Sequence, residues 1–129
     1  MAAETPQTGS FCWTELMTRD VAKAKTFYSE LIGWKTKDEQ VGGCTYTLLT
    51  PPGSKQPVGG MMQMAGPQFE GIPAHWMPHI LVENVDDMAK RCVKLGGKVK
   101  CPPTDIPSIG RFCVIEDPTG AVISLFQGK

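Results

Sequence analysis

The chain predicts an α+β fold in which one order of elements, a strand, a helix and three further strands, occurs twice. Two strand-like runs each pass directly into a helix with one apolar face, and each helix ends at glycine. A shift of 64 positions superposes the two helices, setting Val21 on Val85, Leu31 on Leu95 and Gly33 on Gly97.

"FCWTELM" at 11–17, rich in aromatic and β-forming residues, reads as the first strand, with Thr18 or Asp20 as cap for the first helix. Val21, Ala24, Phe27, Tyr28 and Leu31 recur at helical spacing, so that helix runs from Val21 to Leu31 and Gly33 closes it. Strands are expected at 34–39, 44–50 and 58–64, separated by the "GG" of 42–43 and the "PPGSKQP" of 51–57. "AGPQFEGIPA", 65–74, is the expected linker. The second round has a strand at 76–82, a helix capped by Asn84 and running to about Leu95, and strands at 98–101, 111–116 and 121–127, with "DPTG" as a turn. In the middle of the repeat a shift of 67 sets Gly43 on Gly110, Pro51 on Pro118 and Gly53 on Gly120. The shift returns to 64 at Val58 and Val122, so the second half has three extra residues near "PPTDIPSIG" and the first has three extra in its PPG turn.

A chain of 129 residues is long enough for one domain with its own core, here 1–129, with a first module at about 10–64 and a second at about 75–127. Thirteen basic residues balance thirteen acidic ones, so charge recruits neither nucleic acid nor an anionic membrane. No apolar run approaches a membrane span, and the start "MAAETPQTGS" lacks a secretory pattern, so the expected location is cytoplasmic. Five cysteines without a CxxC pair fit reduced thiols better than disulfides.

The stretches "FCWTELMTRDVAKAKTFYSELIGWK", "HWMPHILVENVDDMAKRCVKLGGKV", "PPTDIPSIGRF" and "DPTGAVISLFQ", with the "GG" at 59–60, resemble the vicinal oxygen chelate superfamily, which includes glyoxalase I, bleomycin-resistance proteins and extradiol dioxygenases. They are closest to the glyoxalase-like branch of lactoylglutathione-lyase relatives. The resemblance implies two tandem βαβββ modules forming an eight-stranded, incompletely closed barrel around a cup, with the helices outside. It also implies ligand positions on the first and last strands of each module, which here are Glu15, Gly60, His79 and Ser124. The internal repeat agrees, since Glu15 falls on His79 and Gly60 on Ser124 at the shift of 64.

Only Glu15 and His79 are good donors to a divalent metal, because glycine offers no side chain and a serine hydroxyl is a poor neutral ligand. No tight metal or other cofactor is therefore expected; a weak divalent site at Glu15 and His79 is left open. The two histidines, His75 and His79, do not form a metal pair. Pro73 and Pro78 oppose a helix there, and four strand residues span about 13 Å.

Glu15 and His79 are the candidate catalytic residues, as a proton-handling pair; a hydrogen-bonded structural pair is the competing reading. Strand alternation places Trp13 beside Glu15, Met77 beside His79, Met62 and Met64 beside Gly60, and Val122 and Phe126 beside Ser124. Trp13, Met62, Met77, Ser124 and Phe126 are thus candidates for lining a ligand, with ordinary core packing as the alternative. Arg111, at a strand entrance, is a further candidate that could hold a carboxylate or phosphate, or simply face water. Trp34 reads as structural, and Trp76 is expected on the helix side. Glu83, Asp86 and Asp87 suit a helix start, and Gly59-Gly60 lacks the surroundings of a phosphate loop.

Three functions compete: an enzyme acting on a small oxygenated or electrophilic molecule without a tight metal, a protein that sequesters an apolar ligand in the manner of the bleomycin-resistance branch, and a metal-dependent lyase or dioxygenase. Gly60 and Ser124 weigh against the third. The partner expected in each case is a small molecule; a homodimer is compatible with the sequence but is not needed to complete the cup.

Overall fold

The computed structural model describes residues 7–129. In chain order the strands are β1 (Phe11–Thr18), β2 (Lys35–Val41), β3 (Cys44–Thr50), β4 (Gly59–Gln63), β5 (His75–Leu81), β6 (Lys98–Ile106), β7 (Gly110–Glu116) and β8 (Val122–Gly128). The helices are α1 (Val21–Leu31) and α2 (Val85–Lys94). The eight strands form one mixed sheet in the order β2-β3-β4-β1-β5-β8-β7-β6, which is open rather than cyclic. The chain divides into two compact units, one comprising Thr14–Met77 and the other Pro78–Lys129 with the chain up to Trp13.

In the unit Thr14–Met77, β1 pairs with β4 in parallel, while β4 with β3 and β3 with β2 are antiparallel. Leu16, Leu49 and Met61 form its buried cluster, against which Val21, Ala24 and Tyr28 of α1 and Trp34 pack. Asp20 caps α1 by accepting from the Lys23 N–H at 3.0 Å. Gly33 comes just after the helix at φ 87°, a left-handed conformation that glycine enters without a Cβ penalty. Trp76 lies on the helix side as expected, its ring 5.6 Å from Tyr28 and 6.0 Å from Trp34.

The second unit repeats the arrangement. Here β5 pairs with β8 in parallel, and β8 with β7 and β7 with β6 antiparallel. Val85, Ala89, Cys113 and Leu125 are buried together, with Ile80, Val82, Met88, Val99 and Ile115 around them. Asn84 caps α2 through the Asp87 N–H at 3.0 Å.

Three details differ from the sequence-based expectation. First, β6 continues to Ile106 through Pro102 and Pro103, with register shifts on either side of Cys101. It is the last strand in the order, where a missing N–H breaks no second ladder, so prolines and bulges are tolerated. Second, the linker contains a short 3₁₀ turn, Pro67–Phe69. Third, the middle strands correspond at a shift of 66, not 67. Leu48 opposes Gly60 and Val114 opposes Ser124, so Leu48 matches Val114 and Tyr46 matches Phe112. One residue of slip exchanges the two faces of a strand, so the difference decides which side chains share the face of Glu15.

Candidate functional site

The register brings together the positions that the repeat marks. Within the first unit, Glu15 stands opposite Gly60 on the neighbouring parallel strand; within the second, His79 stands opposite Ser124 in the same way. In each case the adjacent residues, Leu16 with Met61 and Ile80 with Leu125, turn to the helix-packed core. Alternation therefore aims Glu15 and Gly60, and His79 and Ser124, at the opposite face of their strands.

On that face of the first unit, the Tyr46 hydroxyl donates to Glu15 Oε2 at 2.7 Å. Tyr46 is on β3, opposite Met62, and its ring reaches across position 60. A Cβ at Gly60 would overlap the edge of that ring at Cε1, Cζ and the phenol oxygen. Glu15, Tyr46 and Met62 are half-buried, and Gly60 is buried. Met64, just past β4, is buried as well, its N–H bonded to the Thr18 carbonyl. Met77, in the same unit, is half-buried on β5.

In the second unit His79 is 7% exposed and Ser124 fully buried, and the Ser124 Oγ has no hydrogen-bond partner among the described residues. The half-buried Phe126 opposes Leu81 on β5 and Phe112 on β7. Trp13 is half-buried, and the neighbouring Cys12 thiol donates to the His79 carbonyl at 3.6 Å. His75 begins β5, with Nδ1 2.8 Å from the Pro73 carbonyl, and stays at the strand entry.

Arg111 is held by carboxylates. Its Nε and Nη2 fork onto Asp86 at 2.9 and 3.0 Å and its Nη1 donates to Asp105 at 2.9 Å. These bonds, Asp86 first and Asp105 second, raise the guanidinium pKa, and Arg111 in turn holds the Asp86 carboxyl below its usual range. The open depression beside it, about 340 Å³, also includes Ser108 and Lys129. A separate apolar depression of about 380 Å³, lined by Trp34, Trp76, Val58, Leu49, Gly59 and Thr14, lies on the helix side of the first unit, away from Glu15.

Among the described residues, no three His, Cys, Asp or Glu side chains gather where they could hold a metal. The four positions implied by the family resemblance explain this chemically. Gly60 offers no donor and is covered by the Tyr46 ring, Glu15 already accepts from a phenol, and Ser124 offers only a neutral hydroxyl. This donor set does not fit a tightly held divalent ion.

Tyr46 is the residue that sequence reasoning missed. The strand 44–50 was legible, but its face depends on pairing with β4, and the extra residues at 102–109 hide the true offset between β3 and β7.

The chain belongs to the Glyoxalase/Bleomycin resistance protein/Dioxygenase superfamily, whose model matches residues 10–125. It is 34% identical over 122 residues to CFP32 of Mycobacterium bovis, a protein named as a candidate glyoxylase, covering 94% of this chain and 45% of that one. It is 29% identical over 131 residues to the anthracycline biosynthesis protein DnrV of Streptomyces peucetius, covering 92% of this chain and 47% of that one. The chain thus spans about half the length of these relatives. Among solved structures, methylmalonyl-CoA epimerase of Mycobacterium tuberculosis has the same fold, with a TM-score of 0.64 at 19% identity, covering 100% of this chain and 93% of that one. Among the described residues, no helix is long and apolar enough to cross a membrane.

Proposed function

We propose that the protein is an enzyme acting on a small oxygenated or electrophilic molecule by proton transfer, without a tightly bound metal, with Glu15 and His79 as the proton-handling groups. The observation that carries this reading is the pair of equivalent registers, Glu15 with Gly60 and His79 with Ser124. An ionisable side chain stands at the first-strand position of each unit, while the last-strand partner is a poor metal donor. In such chemistry a proton leaves the carbon beside a carbonyl and a proton is returned, so no redox partner is needed. Trp13, Met62, Met77 and Phe126 supply apolar contacts to the ligand in this reading, and Ser124 a hydroxyl. Arg111, paired with Asp86 and Asp105 at the β6–β7 entrance, is in this reading the group that meets a ligand carboxylate or phosphate.

A second reading, a non-catalytic binding protein, is favoured by the apolar character of Met62, Phe112 and Phe126, which suits an aromatic ligand. Turnover separates the two. Ligands found by thermal shift are assayed with wild-type protein and with Glu15→Gln and His79→Ala. The enzyme reading expects each variant to lose about 10²- to 10⁴-fold in kcat/KM while remaining folded. Persistent binding with no product from any ligand establishes the binding protein.

A further inference from the structure

We infer that Tyr46 is the positioning residue for Glu15, and that position 60 is glycine so that the Tyr46 ring can cross the strand to reach the carboxylate. This rests on the reading of Glu15 as a proton-handling group. Tyr46 stands on β3 and Glu15 on β1, with β4 between them, so the phenol and carboxylate meet across a whole strand. With the ring in this place a Cβ at position 60 would overlap its Cε1–Cζ–hydroxyl edge, so a larger residue there has to push the phenol aside. The bond is 2.7 Å from phenol to carboxylate oxygen, the short, charge-assisted kind.

The second unit supplies the contrast. Phe112 opposes Phe126 as Tyr46 opposes Met62, so a ring occupies the equivalent position but carries no hydroxyl. The last-strand residue there is Ser124, not glycine, and the first-strand residue is His79, not a carboxylate. Hydroxyl, missing Cβ and carboxylate thus occur together in one unit. A metal ion would restrain a carboxylate at such a site; here the phenol fixes one oxygen and so limits the rotamers from which Glu15 acts.

The test uses Tyr46→Phe, Gly60→Ala and the double variant in the full chain. The chain has two tyrosines, so in a Tyr28→Phe background the tyrosine Raman doublet reports Tyr46 alone. We expect a strong-donor signature that disappears in Gly60→Ala, although the phenol is still present, and weakens in Glu15→Gln. The kinetic probe is solvent-deuterium exchange into the hemithioacetal of methylglyoxal and glutathione or into methylmalonyl-CoA. Tyr46→Phe should lose roughly 10- to 100-fold in kcat with KM within about twofold, Gly60→Ala should match it, and the double variant should be no worse. A purely structural hydrogen bond would lower the melting temperature and leave kcat unchanged. An unaltered Raman signature in Gly60→Ala, or full kcat in Tyr46→Phe, overturns the inference. Absence of exchange by wild-type protein instead overturns the role of Glu15, and the Gly60→Ala spectrum still decides whether the glycine admits the Tyr46 ring.

Discussion

Cys113 and Cys44 show how differently burial treats one side chain. Cys113 is fully buried against α2, and burial, with a smaller contribution from the nearby Cys92 and Cys101, pushes its thiol up to about 11. Cys44, at the start of β3, is exposed. A disulfide reagent at about pH 8 should therefore label Cys44 rapidly and Cys113 only when the protein opens; mass spectrometry of timed aliquots reads the order, and simultaneous labelling would refute this account of the core. Three aspartates have the opposite electrostatics. Asp38 is held low by Lys25 and then Thr47, Asp86 by Arg111, and Asp117 by Thr119 and the Ala121 N–H. A depressed carboxyl contributes stability that is present above its unfolded pKa, about 3.9, and is lost as pH falls through the lower folded value. Melting temperature should thus fall below about pH 4, and Asp38→Asn, Asp86→Asn and Asp117→Asn together should flatten that fall. An equally steep acid limb in the triple variant would remove these groups from the explanation. At this scale Glu15 and His79 were legible as candidates because the family resemblance implies their positions and the repeat agrees, whereas Tyr46 became legible only through its pairing partner.

At the scale of elements, the helices were the most readable features. Apolar spacing and caps specify them locally, and Asn84 caps α2 as the sequence implies. Asn84→Ala should cost about 1 kcal/mol in urea unfolding, since the Asp87 N–H loses its acceptor. Leu49, with no exposed surface in the cluster beneath α1, should cost about 2–5 kcal/mol as Leu49→Ala. Equal losses for the two variants would mean that the Leu49 cavity collapses. Strand β6 was legible only at its start, because Pro102 and Pro103 argue locally against a strand, while its place at the end of the sheet order removes the need for their N–H groups. The slip between β3 and β7 has a similar cause: glycines and prolines superpose well by letter, but cross-strand register determines the face.

For the whole molecule, the repeat carried most of the fold. The same shift that aligns the helices aligns core residues, since Leu16, Val21, Ala24 and Met61 become Ile80, Val85, Met88 and Leu125. On the other face the repeat already set Glu15 against His79 and Gly60 against Ser124; what it could not supply is the third departure from symmetry, Tyr46 in one unit against Phe112 in the other. That departure is where chemistry is expected, because packing demands the same thing of both units and function need not. The most direct test of the central claim is proton exchange measured by NMR in deuterated solvent, using chelator-treated protein with the methylglyoxal–glutathione hemithioacetal and with methylmalonyl-CoA. The account predicts exchange by the wild-type protein, undiminished after metal removal, and its loss in Glu15→Gln and in His79→Ala. Exchange that appears only when a divalent metal is restored, or that survives both substitutions, would contradict it.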